Sequence, residues 1–513
     1  MIEFVPKDKI MDFARIMTTF LGAVAVPLAI LFLILLFWAI HDIFFQREHA
    51  IRHNFPVIGS LRYILESVGP ELRQYFFSDD TGDRPISRYV RNWIYRSAKG
   101  ADSSLPFGTK LDISQPGTIL FRHSPFPGQD TIKPDRVLIG PGRRHPYAAQ
   151  RFNVSAMSYG SLGRNAILAL SMGAKTGGFS MNTGEGGISP YHLQGGADLC
   201  WQIGTGKFGC RTQEGNFYVE LFQENARRPE VKLIEIKLSQ GAKPGKGGVL
   251  PQAKITEEIA RIRNIPRDRD CISPPAHREW NDVKGLLDFI WMLQEESGKP
   301  VGIKMCVGDP AFVGELADAI RTTGRSPDFI TIDGKEGGTG AAPLSFSDRV
   351  GYPLREALIL VDDTFRTKGV RDKIRLIASA KIFTGAELAM AIALGADMAQ
   401  SARGFMLSIG CIHALRCAHN TCPAGVATHH PWLQAGLDPY NKAPRVTRYQ
   451  AAVIKDMLEI VRACGLKSPS ELDRHHLMMV AEHTKIVGFD ELHPSRGPRP
   501  AAVMPEPLTA VSA

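Results

Sequence analysis

Charge is missing from one long stretch of this chain: between Ile16 and Ile40 there is no charged residue, and Arg15 and Asp42 close the run. Other absences narrow the reading. The net charge of +9 comes with no basic stripe interleaved with aromatics and no zinc-finger spacing, which argues against nucleic acid. Anionic substrates or an anionic membrane surface account for the excess instead. Cysteine is sparse, at eight in 513 residues, and five are scattered singly as small core residues would be. No secretory cleavage site accompanies them, so a disulfide framework is not expected. No repeat of solenoid period occurs. What is present, 44% hydrophobic and 22% charged residues, is the balance of an ordinary globular protein.

About 20 apolar residues cross a bilayer core, so the uncharged run, LGAVAVPLAILFLILLFWAI in its centre, is long enough for a transmembrane helix over about 17–40. Pro27 is tolerated in a membrane helix, and Trp38 suits the interface. A signal peptide is the competing reading, but the run is too long for one and lacks an A-x-A exit. Lys7, Lys9 and Arg15 are balanced by Glu3, Asp8 and Asp12 on the N-terminal flank, whereas Arg47, Arg52 and Arg62 follow the run. The positive-inside rule therefore predicts a single-pass membrane protein with its main body in the cytoplasm.

Five regions follow along the chain: a tail and membrane helix over 1–42, an adapter over 43–150, a large body over 151–430, C-terminal helices over 431–490, and a flexible tail over 491–513, proline-rich from Pro494. In the body, short apolar strands end in Gly, Ser or charged residues and alternate with helical segments such as Asn281–Glu296 and Glu387–Leu394. The strands are predicted at Phe152–Met157, Phe179–Asn182, Cys200–Ile203, Leu233–Ser239, Val301–Cys306, Phe329–Asp333, Ile374–Ser379 and Met398–Ala402. Eight such units predict the α/β class and a (β/α)8 TIM barrel. Two helices, near Thr447–Cys464 and Ser470–His483, are predicted to pack outside it. A barrel carries its chemistry at the C-terminal ends of its strands, and there the sequence crowds glycine and polar residues: SAMSYGS, NTGEGG, KLSQGAKPGKGG, DGKEGGTGAAP, ASAKIFTG and SARG.

Taken together, Ser155-Ala156-Met157-Ser158, Asn182-Thr183-Gly184-Glu185-Gly186-Gly187, Gln240-Gly241-Ala242-Lys243-Pro244-Gly245, Ile272-Ser273-Pro274-Pro275, Gly337-Gly338-Thr339-Gly340-Ala341 and the run from Gly410-Cys411 to Cys422-Pro423 resemble, in order, the FMN-binding synthase domain of glutamate synthase. The resemblance covers about 280 residues. It is closer still to short single-subunit glutamate-synthase-like proteins with an N-terminal membrane helix.

The resemblance implies FMN. Its phosphate would lie in the loops after strands seven and eight, where Ala380 to Gly385 opens a helix and Arg403-Gly404 follows. The family often has glycine where Ala380 stands, and the extra methyl crowds that loop slightly. Ala156, Met157 and Ser158 would wall the ring, with Gly337 and Gly338 among the cofactor-binding positions. Gln202 would meet the ring edge, and Lys304 would stabilise the charge of reduced flavin. A structural ion pair is the other reading of Lys304, since a lysine inside VGIKMCV is costly without an anionic partner.

The implied reaction joins 2-oxoglutarate, or a related 2-oxoacid, to ammonia or another amine donor and reduces the imine. Lys237, Gln240, Lys243 and Ser273 are the expected pocket, with Glu185 moving a proton; Lys243 and Lys246 also read as a solvated loop. Cys411, Cys417 and Cys422, spaced C-x5-C-x4-C and followed by Pro423, suit a 3Fe-4S cluster. Zinc with His413 or His419 as fourth ligand stays open. The G-x-G-x-x-G of Gly204–Gly209 runs into an extended segment, CRTQEGNFYVE, and is not read as a nicotinamide site. The start Met1-Ile2 offers no N-terminal cysteine nucleophile, so ammonia is expected free or from a separate glutaminase subunit, and electrons from ferredoxin or a flavoprotein partner. Two alternatives remain at this point: FMN-dependent oxidation of a 2-hydroxy acid, and a membrane-bound electron-transfer or scaffold subunit.

Overall fold

The computed structural model describes residues 7–101, 104, 106–128 and 131–496. The tail expected to be flexible falls, from 497 on, outside the described residues. The chain forms two compact units, Met1–Pro85 and Ile86–Ala513. Their boundary falls at Pro85, inside the segment expected as an adapter over 43–150.

In the first unit, helix α1 (Lys7–Ile40) runs on through a wider turn at His41–Phe45. The stretch Arg15–Phe45, 31 residues, is long and apolar enough to cross a membrane, and its most apolar part buries nothing against the protein. A second helix, α2 (Ile58–Leu72), follows a short helical segment at Ala50–Asn54.

The second unit is built on eight parallel strands: β1 (Phe152–Val154), β2 (Ser180–Asn182), β3 (Asp198–Ile203), β4 (Val231–Lys237), β5 (Val301–Met305), β6 (Phe329–Asp333), β7 (Arg375–Ser379) and β8 (Met398–Ser401). They close into a barrel in chain order, with Ala399 beside Phe152 and Ser401 beside Val154 joining the last strand to the first. Strands such as FITID and RLIAS are buried along their whole length, as parallel strands covered by helices must be. All eight lie where the sequence predicts them.

Three features were not foreseen. A hairpin of Arg136–Ile139 and Tyr147–Gln150 plugs the N-terminal end of the barrel, its Val137, Ile139, Tyr147 and Ala149 clustering with Cys200, Leu233, Phe329, Ile377 and Met398 from inside the strands. Helices α3 (Arg164–Gly177), α4 (Gly385–Ala393) and α5 (Arg403–Ser408) follow β1, β7 and β8. Because α5 is only a turn and a half, the eighth outer position is taken by α6 (Pro439–Ala463), which packs against α3 and α4. The helix expected outside the barrel is thus part of it, fixed by an aromatic cluster of Phe152, Phe405 and Tyr449 and by Tyr449 Oη donating to Phe383 O at 2.8 Å. The second predicted C-terminal helix, Ser470–His483, is absent. Its place holds two short 3-10 turns and a strand, Leu477–Glu482, paired with Ile119–Phe121 and Lys485–Gly488. A helical pattern of apolar residues yields here to partners distant in the chain.

Candidate functional site

Inside the barrel the strands carry a polar core. Glu235, in the middle of β4, is buried and accepts hydrogen bonds from Asn182 Nδ2 (2.8 Å), Gln202 Nε2 (2.7 Å) and Thr331 Oγ1 (2.6 Å). One carboxylate thus ties β2, β3 and β6 to β4. A buried carboxylate is tolerable only when its lone pairs are used, and these are. One N–H of the Gln202 amide, expected at a flavin edge, goes to this network.

Toward the mouth, Lys304 on β5 approaches Asp333 at the end of β6, Nζ to Oδ2 3.4 Å. Asp333 also accepts from Ser379 Oγ (2.9 Å) and from the Gly241 N–H (3.0 Å). Burial by itself would push the Lys304 ammonium down. The carboxylates of Asp333 and Glu235 outweigh it and hold Lys304 above the usual lysine range. Lys304 is therefore a fixed positive charge set in the barrel floor.

At the C-terminal end of β4, Lys237 Nζ donates to Glu185 Oε2 at 2.6 Å and also to Gln240 Oε1. Burial raises the Glu185 carboxyl, but Lys237, Arg263 and Lys243 together keep it below the ordinary glutamate value. Lys243 Nζ is held by Gly247 O at 2.7 Å, and burial and the nearby Lys237 lower its pKa. Ser273 is buried beside the same loop, its N–H donating to Gly248 O at 2.9 Å. A methyl on Gly204 would meet the Glu185 side chain at 2.8 Å, so glycine there lets the loop after β3 approach the carboxylate. That loop belongs to the G-x-G-x-x-G segment, and no helix opens at it. His277 donates through Nε2 to Lys237 O at 3.0 Å, stacks on Trp280, and lines a cavity of about 680 Å³ together with Ser239, Cys306 and Phe312.

Arg263 went unnoticed in the sequence. It is buried, donates through Nη2 to Tyr159 O (3.0 Å) and Ser158 Oγ (3.4 Å), and lies over the Phe208 ring at 5.1 Å. Its Nε has no partner. Burial pushes the guanidinium down, opposed by Cys271 and Glu185. The result is a buried cation with one donor unpartnered, close to the paired Glu185 and Lys237.

The expected phosphate loops divide. Arg403, after β8, donates through Nη2 to Glu336 O at 2.9 Å and comes within 2.9 Å of where a Gly338 methyl would stand. This brings Gly337, Gly338 and Arg403 together. Ala380 directly follows β7, with Lys381 in the left-handed region (φ 44°), which turns the chain sharply there. Gly385 is different. Its N–H donates to Asp456 Oδ2 (2.8 Å), and the Phe383 and Thr384 N–H groups donate to Glu387 Oε2 at 3.2 and 2.6 Å. A methyl on Gly385 would strike the Met457 backbone, so this glycine serves close packing of α4 on α6. Gly404 does the same against Tyr449. The N–H groups of Phe383, Thr384 and Gly385 thus have carboxylate acceptors within the protein. Ala156, Met157 and Ser158 lie between β1 and the Gly184 turn, where a methyl on Gly184 would meet Ser158 N at 2.6 Å. With a cation in the floor, a backbone wall and an arginine over a glycine pair, these residues fit FMN.

Cys411, Cys417 and Cys422 lie in a loop that bends through left-handed His413, Leu415 and Asn420. Burial lifts the Cys411 thiol to about 12 and, with Cys422 adding to it, raises Cys417 as well. Tyr95 Oη donates to Cys411 O (2.7 Å), and buried Lys254 donates to Ser161 O (2.6 Å) and Cys417 O (3.3 Å). Burial lowers Lys254 to about 8, against the pull of Cys417 and Cys422. Among the described residues no three His, Cys, Asp or Glu side chains stand close enough to hold a metal ion. The three thiols lie in electrostatic reach of one another, and the Lys254 ammonium lies in reach of Cys417 and Cys422, but the thiols are not gathered as a ligand set.

The comparisons fall where these residues do. A model described as a conserved region in glutamate synthase matches residues 134–467. The chain is 39% identical, over 92% of its own length and 97% of the other's, to the glutamate synthase large subunit-like protein YerD of Bacillus subtilis (strain 168). It is 37% identical to the archaeal glutamate synthase (NADPH) of Methanocaldococcus jannaschii over 62% of this chain, and spans 60% of that protein. Among solved structures, the recombinant flavin-binding domain of baker's yeast flavocytochrome b2 aligns with a TM-score of 0.44 and 14% identity, over 81% of this chain and 85% of that one.

Proposed function

The chain belongs to the glutamate synthase family, and from that premise we propose that it is an FMN- and iron–sulfur-dependent oxidoreductase that reductively aminates 2-oxoglutarate or a related 2-oxoacid. The observation that carries the reading is the Glu185–Lys237 pair at 2.6 Å, with Lys243 and the spare Arg263 donor around it, at the mouth of the barrel whose floor holds Lys304.

Ala156, Met157 and Ser158, Lys304, Gly337, Gly338 and Arg403 are the residues to hold FMN; Cys411, Cys417 and Cys422 are those to hold a 3Fe-4S cluster. Bound FMN would supply hydride to the substrate carbon, and a cluster, if held by the three cysteines, would supply single electrons. Arg263 and Lys243 take the substrate carboxylates, each a buried donor facing an anion. Glu185 stays ionised because Lys237 and Arg263 surround it, so it can take a proton from the nitrogen of the adduct that ammonia forms with the substrate carbonyl. It carries a proton from that nitrogen to the former carbonyl oxygen twice, first giving the carbinolamine and then releasing water as the imine forms. Gln240 and Lys237 fix the direction of the Glu185 oxygens. Lys304 holds positive charge in the floor, where negative charge builds on the ring.

The amine donor is ammonia, free or handed over by a separate glutaminase subunit, and the electron donor is ferredoxin or a flavoprotein. Arg15–Phe45 anchors the protein in a membrane with the barrel on the cytoplasmic side, supported by the length of the apolar run and by Arg47, Arg52 and Arg62 after it. The deciding experiment is anaerobic stopped-flow reoxidation of the reduced enzyme. Rapid reoxidation should require 2-oxoglutarate and ammonium together. If a panel of 2-oxoacids and amines leaves the flavin reduced, amination is wrong.

A further inference from the structure

We infer that α2 and the turn after it, Ile58–Phe77, lie flat in the membrane interface as a second, peripheral contact with lipid, latched to the end of α1. This goes beyond the amination reading and rests on the proposal that α1 spans a bilayer.

The sequence of α2 separates its residues by face. Ile58, Leu61, Ile64, Leu65, Val68 and Leu72 fall within one arc of about 120° at 3.6 residues per turn. Arg62, Glu66 and Arg73 fall off that arc. The apolar arc is not used inside the protein: Ile58 is 77% exposed, Leu61 and Leu65 each 54%, and Phe76 and Phe77, which extend the stripe, 76% and 80%. Such a surface on a described segment calls for an apolar partner. Four charges, Arg62, Glu66, Glu71 and Arg73, keep the segment from crossing the hydrocarbon core. An apolar arc with charges at its edges is instead the pattern of a helix that settles at the headgroup boundary.

The latch selects lipid over other occupants. Asp42, at the end of the apolar run, is fully buried. Its Oδ1 accepts from Arg52 Nη2 at 2.8 Å, and its Oδ2 accepts from the Val57 N–H at 3.1 Å and Ser60 Oγ at 3.5 Å. The last two donors are the cap and first turn of α2. Gly59 packs so closely on Ile51 O that a methyl there would come within 2.7 Å. The start of α2 is thereby held level with the point where α1 leaves the hydrocarbon, and its apolar arc has lipid within reach.

The test uses the full chain in vesicles of phosphatidylethanolamine and phosphatidylglycerol, with a genetically encoded benzophenone amino acid at Leu31, Leu65 or Ser67. After irradiation, mass spectrometry identifies what each probe has captured. Phospholipid adducts are expected at Leu31 and Leu65, with loss of the adduct at Ser67. Asp42→Ala should abolish the Leu65 adduct and keep that at Leu31. Lipid at Leu31 without lipid at Leu65, or a protein adduct at Leu65, would overturn the interfacial helix and leave the membrane span intact. Lipid at neither site would overturn both. A Leu65 adduct undiminished in Asp42→Ala would overturn the latch.

Discussion

Two buried arginines, one at each end of the barrel, are treated in opposite ways. Arg371, just before β7 at the plugged end, donates to Asp362 (2.8 Å), Ile374 O (2.7 Å), Gly395 O (2.8 Å) and Asp397 (2.9 Å). Burial opposes its charge, but Asp397 and Asp362 raise it above the usual arginine range. Arg263 at the mouth is as deeply buried, yet its Nε is unpartnered and burial lowers it. One guanidinium has all its sides taken up by acceptors from the fold; the other donates to Tyr159 O and Ser158 Oγ and keeps a buried Nε without a partner.

Four experiments would break or sharpen that contrast. The largest effect is expected at the mouth. Glu185→Gln keeps the shape and removes the base, so amination should fall about 10²–10⁴-fold in anaerobic stopped flow, with only a modest drop in the unfolding midpoint from the lost Lys237 pairing. Retention of wild-type turnover would remove Glu185 from the chemistry.

Next comes the plugged end. Arg371→Met strips half-buried Asp397 of the Arg371 cation and removes one of three from buried Asp362, which Arg366 and Arg474 still approach, and should cost about 3 kcal/mol in urea unfolding. The folded fraction should keep its flavin spectrum. A neutral result would mean that the two ends are not different in kind.

The matching change at the mouth, Arg263→Met, should raise the KM for 2-oxoglutarate about 10–100-fold, the worth of one hydrogen bond to a charged group. Stability should hold or rise, since an underpartnered buried cation is removed. A large loss of stability would place Arg263 with Arg371 as a structural residue.

The smallest effect is a pH dependence. Burial lowers Lys254 from the ordinary lysine value to about 8. Between about pH 8 and 10 the unfolded chain then binds more protons at this residue than the folded one, so stability rises with pH through that window. Below pH 8 both states are protonated and the folded state carries the cost of the buried charge. Urea unfolding of cluster-free protein should show the rise, and Lys254→Met should flatten it. An unchanged slope in the variant would assign the rise elsewhere.

Lys304 and Glu235 show what the sequence made legible. Each is a charge inside an apolar strand, VGIKM and LIEIK, where only a partner makes burial tolerable. The same signal that marks Lys304 would have found Glu235. Arg263 had no such signal. It sits in RIRNIPRDRD, where Arg267 and Arg269 are exposed, and nothing local separates the buried arginine from its neighbours. Gly385 carries a constraint that local pattern does not show: a glycine opening a helix after strand seven reads as a phosphate loop, and the position of α6 adds a packing reason for it.

The sequence by itself determined the eight strands and their order, the long apolar helix, and the crowding of glycine and charge at the strand ends. Those follow from local periodicity and from the rule that a buried parallel strand is apolar throughout. Tertiary structure decided the rest: that α6 completes the helical ring, that Leu477–Glu482 is a strand, that a hairpin seals one end, and that Asp42 reaches across a turn to hold α2. Each depends on contacts between segments far apart in the chain or on which face a side chain turns, and local pattern carries neither.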